Sequence, residues 1–383
     1  MTRLNSLCLA LAFLCWTTAA DAAKRKLTVD LETKEGALLK QITDEADDAK
    51  KTALLEDFTA KFPGHESATW AWGELQTVYL KTNQFDKALA SGEKVFTADS
   101  DDLAAAHGNL KAAEGAKNPD QIRTWAVHTS ASARRLQRSP KPSDTEEAAA
   151  WQAQADYAKQ VDAYCDYALY SIAAQAASPA KRVEYGELLL TQSPGSQYAA
   201  PLRPQLFLAY QQSGNDQKAL LMAEEDIGKG SASDDMLLYA ASKAYERQDK
   251  AKAGGYAKKL LESLPTRPVP QGVSEADWTR MKNQKAGIAE WMLGIIASNE
   301  QRWAEADSHL RAALPNVSQS KDLQAETLFH LGLANYKMGE AKKDTKRITE
   351  ALKFNQQCAA IASNYQAQAK KNVAAIRSQY RMP

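Results

Sequence analysis

The stretch TWAWGELQTVYLKTNQFDKALASGEKVFTADSDD, Thr69 to Asp102, decides the fold. Trp72, Leu75 and Tyr79 recur at steps of three and four, the spacing of one apolar face on an α-helix. After the polar break Lys81-Thr82-Asn83-Gln84 a second face begins with Phe85, Ala88 and Val95. Two short helices joined by so tight a turn must lie antiparallel. A single hairpin cannot bury its apolar face by itself, so the pattern requires further copies to stack against.

Those copies are present in phase. Starting at Glu32, Leu38, Leu39, Ile42, Phe58 and Pro63 keep the register; from Ala163, Leu169, Tyr170, Ala173, Leu189 and Pro194 do; from Ala200, Leu206, Tyr210, Ala219 and Ala223 do. From Asp234 come Leu237, Ala241, Ala253, Ala257, Leu261 and Pro265; from Gly287, Leu293, Gly294, Ala297, Trp303, Ala306, Leu310 and Ala313; from Ala325, Leu328, Leu331, Gly332 and Ala351, after an insertion near Gly339 to Arg347. A weaker copy runs from Leu103 through Leu110, Ala113, Ile122 and Ala126. A period of 34 residues with this pattern resembles the tetratricopeptide repeat (TPR) family, in particular exported bacterial TPR proteins of unassigned function. The resemblance implies an all-α fold, a right-handed α-solenoid of about eight degenerate TPR-like helical hairpins. Small residues at Ala88, Ala219, Ala253, Gly294 and Ala306 fit it, because facing helices approach closely only where a small residue stands opposite a large one. Gln76, Phe207, Lys51 and Arg182 depart from it, standing where Gly or Ala is usual.

Helix punctuation divides the chain. Asn118-Pro119-Asp120-Gln121 and Ser143-Asp144-Thr145-Glu146 read as N-caps. Two long first helices are expected: one from the Ser143 cap carries Trp151, Ala155, Ala158, Val161, Cys165, Leu169 and Ile172, and one after Ser274 carries Trp278, Met281, Ile288, Trp291 and Ile295. The breaker-rich joints Arg138–Pro142 and Pro265–Gly272 precede them. The expected segments are residues 24–138, 143–265 and 274–380, behind a signal peptide over residues 1–22.

That leader is read from Arg3, the apolar run Leu7–Trp16 of about ten residues, and Thr18-Ala19-Ala20-Asp21-Ala22-Ala23, with cleavage after Ala20 or Ala22. The run is too short to span a bilayer, and no small-residue box precedes Cys8 or Cys15 as a lipoprotein would need. Export to a bacterial periplasm or medium is therefore expected, leaving Cys165 and Cys358, which lie on apolar stripes and read as buried free thiols.

Composition narrows the function. With 44% hydrophobic and 25% charged residues the chain is neither disordered nor a membrane bundle, and the 69 alanines suit closely packed helices. Lys plus Arg (48) balances Asp plus Glu (47), so no net field draws nucleic acid. The five histidines, His65, His107, His128, His309 and His330, stand singly without HExxH spacing, so neither a metal nor another cofactor is expected. No GxSxG elbow or phosphate loop occurs, and no catalytic residue is assigned. The resemblance implies instead that the inner face, lined by the first helix of each hairpin, takes a partner peptide or helix. Its second, fifth, ninth and twelfth positions place Trp70, Leu80, Tyr164, Tyr167, Leu208, Leu238, Tyr245, Trp291, Ile295, Phe329 and Tyr336 there; the sites expected to carry binding are Trp70, Tyr164, Tyr167, Tyr245, Trp291, Phe329 and Tyr336. Gly73 and Thr77, with Trp291 and Ile295, replace the Lys, Asn and Arg set with which some relatives clamp a carboxylate. A non-catalytic scaffold for a protein partner is expected, with a cell-wall or extracellular glycan as the alternative ligand of the same aromatics, and a helical glycan-cleaving enzyme as a remote third reading.

Overall fold

A computed structural model describes residues 25–382; the leader reading of Met1–Ala23 lies outside the described residues. Seventeen α-helices and one 3-10 turn make up the secondary structure there, and the chain divides between Leu206 and Phe207 into two compact units. The first holds α1 (Lys34–Asp44), α2 (Asp48–Lys61), α3 (Ala68–Lys81), α4 (Phe85–Ala98), α5 (Leu103–Gly115), α6 (Pro119–Arg138), α7 (Thr145–Gln175) and α8 (Pro179–Gln192). The division falls within α9 (Ala199–Gln212), which is followed by α10 (Asp216–Lys229). The second unit continues with α11 (Asp234–Glu246), α12 (Lys250–Ser263), the 3-10 turn Leu264–Thr266, α13 (Glu275–Asn299), α14 (Trp303–Ala313), α15 (Lys321–Lys342), α16 (Thr345–Ala359) and α17 (Gln366–Tyr380).

The packing within each unit is that of an all-α solenoid. A first helix packs on its own second helix and also on the next first helix: α3 meets α4 and α5, and α13 meets α14 and α15. Each hairpin thereby closes the core its neighbour leaves open. In the first unit Leu39, Ile42, Leu55, Phe58 and Leu75 are fully buried under α1–α4, while Val161, Cys165 and Leu169 of α7 join Trp125 and Tyr185 in the next layer. In the second unit Trp291, Leu310, Leu328 and Phe354 share one core. Cys165 and Cys358, the cysteines among the described residues, are buried free thiols.

Small residues sit where the periodicity put them. Ala88, Ala219, Ala253 and Ala306 are fully buried, and a Cβ added at Gly294 would lie 2.5 Å from Leu310 Cγ. Leu310 can fill that place, worth roughly 1.5–3 kcal/mol of burial, only because position 294 is empty of side chain. Two of the departures, Gln76 and Arg182, are compensated by their neighbours. Gln76 fits between Gly92 and Gly108, where an added Cβ would lie 2.1 and 2.5 Å from its Nε2. That nitrogen donates to the Ala105 carbonyl at 2.9 Å and lies 2.9 Å from the Asn109 amide, so a buried polar side chain is satisfied. Arg182 of α8 donates to the Ala173 and Ala176 carbonyls at 3.3 and 3.0 Å, closing the negative end of α7.

Three expectations are corrected. Asp144, not Ser143, caps α7, accepting from the Glu146 and Glu147 amides at 2.9 and 3.0 Å, since a carboxylate reaches two amides at once. Met281 is 40% exposed, although Trp278, one turn earlier on the expected stripe, is buried. The insertion near Gly339 to Arg347 forms no separate loop; it lengthens α15 to Lys342, which ends at Lys343 in the left-handed region.

Gly294→Ala is expected to lower stability by about 1–3 kcal/mol through overpacking against Leu310. Gly255→Ala, in α12 with nothing within 4 Å of the added Cβ, is expected to raise it by about 0.5–1 kcal/mol. Urea midpoints that move in opposite directions check both.

Candidate functional site

The first unit contains a groove of about 900 Å³. Its wall is α7, whose Tyr164, Tyr167, Ala168, Ser171, Ile172 and Gln175 follow the three-and-four spacing of one helical stripe. The end of α5 contributes Glu114, the α5–α6 turn Lys117, α6 Pro119 and Ile122, and the start of α8 with the cap before it Ser178, Lys181 and Tyr185. The extra turns that set α7 in place are anchored at their start, where Trp151 Nε1 donates to Ser139 Oγ at 2.8 Å.

Aromatic rings run along this wall in contact. The centroid of Tyr164 lies 6.0 Å from those of His107 and Tyr167; Tyr167 lies 5.7 Å from Tyr198, and Tyr198 stacks on Tyr170 at 5.3 Å. Tyr167 is 44% exposed and Tyr164 half-buried. At the upper end His107 is buried, its Nδ1 2.7 Å from the Tyr157 hydroxyl. Burial, and then the charge of Lys111, push its pKa down to about 3, so it stands neutral. Tyr164 donates to both carboxylate oxygens of Glu114, at 2.9 and 2.8 Å. Burial nevertheless holds the Glu114 carboxyl above the usual range, outweighing the phenol and Lys111. The Lys181 charge on the opposite rim is matched by Asp120 at 2.8 Å and Glu184 at 3.0 Å.

The second unit repeats the chemistry with the partners exchanged. Tyr365 donates to Glu326 at 2.5 Å and packs on Phe329 at 5.0 Å, while Tyr245 lies 5.3 Å from Trp291 and close enough to Glu326 to feel its charge. In the 34-residue register Tyr164 and Glu326 hold the second position and Glu114 and Tyr245 the twelfth, while the phenol that binds Glu326 is Tyr365, ahead of the last helix.

The seven expected aromatics thus separate. Tyr164 and Tyr167 stand together on the groove, Tyr245 meets Trp291, and Phe329 joins Tyr365. Trp70 is half-buried against the α1–α4 core, and Tyr336 donates to Glu340 and Gln379 at 3.2 and 3.0 Å and meets Tyr380 edge-on. Trp291 is only 8% exposed and Ile295 2%, so both belong to the core: the long α13 is covered on two sides by α14 and α15. His107, Glu114, Tyr170, Tyr198 and Tyr365 were missed. Tyr157 and Tyr164, seven residues apart, gave the available signal, since they share a helical stripe that any ring on α5 could meet. No group of three or more His, Cys, Asp or Glu suited to a metal occurs among the described residues, and no helix there is long and apolar enough to cross a membrane.

No family model and no curated protein matches the chain. Among solved structures it is similar to the TPR domain of P58(IPK), at 14% identity, over 91% of this chain and 98% of that one, with a TM-score of 0.27. At that score the likeness carries no further argument.

His107 supplies a pH test. Its folded pKa lies below the ordinary value of about 6.5, so between pH 6.5 and 3 the unfolded chain binds the proton the folded one refuses, and stability falls with pH through that window. From pH 7 to pH 5 the wild type is expected to lose about 1–2 kcal/mol more than His107→Gln, read from urea midpoints. Comparing the two chains cancels His330, which burial shifts downward as well.

Proposed function

We propose that this chain is an exported, non-catalytic interaction module that takes a peptide or helix of a protein partner on the first-helix face of its first unit. The observation that carries the reading is the run Tyr164, Tyr167, Tyr198 and Tyr170 beside a groove of about 900 Å³. Tyrosine offers large contact area with little rotamer entropy to lose and keeps a hydroxyl for hydrogen bonding, which is why it concentrates at binding hot spots. Catalysis has less support there: glycoside hydrolysis ordinarily uses two carboxyl groups across the scissile bond, and Glu114 is the one acid lining the groove.

Tyr167 is exposed enough to be removed without opening the core. Tyr167→Ala is expected to weaken partner recovery from an envelope extract by about tenfold or more while leaving the urea midpoint within about 0.5 kcal/mol of wild type. Unchanged recovery would remove the groove from the proposal. Titration with peptidoglycan fragments addresses the glycan reading: a tyrosine or tryptophan emission change lost in Tyr167→Ala would transfer the groove to sugar stacking. Export is supported by the Met1–Ala23 sequence, and N-terminal sequencing of the chain recovered outside the cytoplasm is expected to begin at Asp21 or Ala23.

A further inference from the structure

Residues 25–31, Arg-Lys-Leu-Thr-Val-Asp-Leu, form a non-helical arm laid across α3 and the start of α5. Arg25 donates through Nε and Nη2 to the two oxygens of Asp102, both at 2.8 Å. Asp102 is nearly buried and at the same time caps α5, accepting from the Ala105 amide at 2.8 Å. The guanidinium passes over Gly73, where an added Cβ would lie 2.2 Å from Nη1. Glycine inside a helix costs about 1 kcal/mol relative to alanine, and here the vacancy is filled by Arg25. Further contacts hold the arm: the Thr28 amide donates to Ser67 Oγ at 2.9 Å, that hydroxyl donates back to the Thr28 carbonyl at 3.4 Å, and Lys26 pairs with Glu66 at 2.7 Å. Ser67, directly before α3, makes no side-chain bond to its own helix.

The hold is polar. Leu27, Val29 and Leu31 are 39, 39 and 64% exposed, so the arm is not seated by apolar burial. A glycine floor, a carboxylate that receives a guanidinium through two parallel bonds, a serine that reads a backbone amide and an outer acid that takes a lysine together make a seat for an extended arginine-bearing segment.

We propose that the α3–α5 face is a docking site for extended basic segments of a protein partner, with arginine in the Gly73–Asp102 slot, and that Arg25–Leu31 is its built-in occupant, which such a segment displaces. The seat uses none of the groove residues of α7, so it stands or fails independently of the proposed function.

The test uses a fluorescein-labelled, end-capped peptide of residues 25–31 and the full chain, read by fluorescence anisotropy. Arg25→Ala/Lys26→Ala, which empties the arginine and lysine places of the seat, is expected to bind the peptide about tenfold or more tightly than wild type, whose own arm competes there. Adding Asp102→Asn, which keeps a good N-cap for α5, or Gly73→Ala, which closes the slot, is expected to remove that gain. No binding to an emptied chain of unchanged helicity, or binding insensitive to Asp102→Asn and Gly73→Ala, overturns the proposal. A wild type that is dimeric while the emptied chain is monomeric also overturns it, because the arm would then belong to a second copy.

Discussion

Close approach between neighbouring helices is the constraint on which this structure depends. No hairpin has a core of its own, and each must lay an apolar stripe within reach of two others. Gly294 under Leu310 shows the local rule: the large residue is buried because its counterpart has no side chain. The 69 alanines are the same rule written along the whole chain.

Where that rule is broken, another element restores the balance. Gln76 occupies a position that favours a small residue, and the room it needs is supplied by Gly92 on α4 and Gly108 on α5. Its amide is then deep in the packing, and the Ala105 carbonyl and Asn109 satisfy it. The same exchange recurs at Gly73, whose missing side chain admits Arg25 rather than a helix. Close packing and recognition of a polar side chain thus use one device, a glycine on a helix face.

The first-helix faces also bring carboxylates and phenols together. Glu114 accepts from Tyr164 and Glu326 from Tyr365, and at Glu114, where burial favours the neutral acid, the phenol donor compensates only in part. In the first unit this pair sits beside the groove and continues into a line of tyrosines, whereas in the second Trp291 is packed into the core and the comparable rings cover it. The same repeat positions therefore support a surface in one place and a core in another, according to how many helices cover them.

The sequence by itself determined the helices, their pairing in a 34-residue register, the long α7 and α13, and the small residues that let them touch. Those features depend on spacing within one helix or between adjacent ones, and periodicity reports such spacing directly. Only the tertiary structure decided that Trp291 is core and Tyr167 exposed, that His107 meets Tyr157 fifty residues away, and that Arg25 reaches Asp102 across 77 residues. Exposure depends on how many neighbouring helices cover a position, and a long-range polar pair depends on the path of the connecting chain. Neither quantity is encoded in the period of any single element.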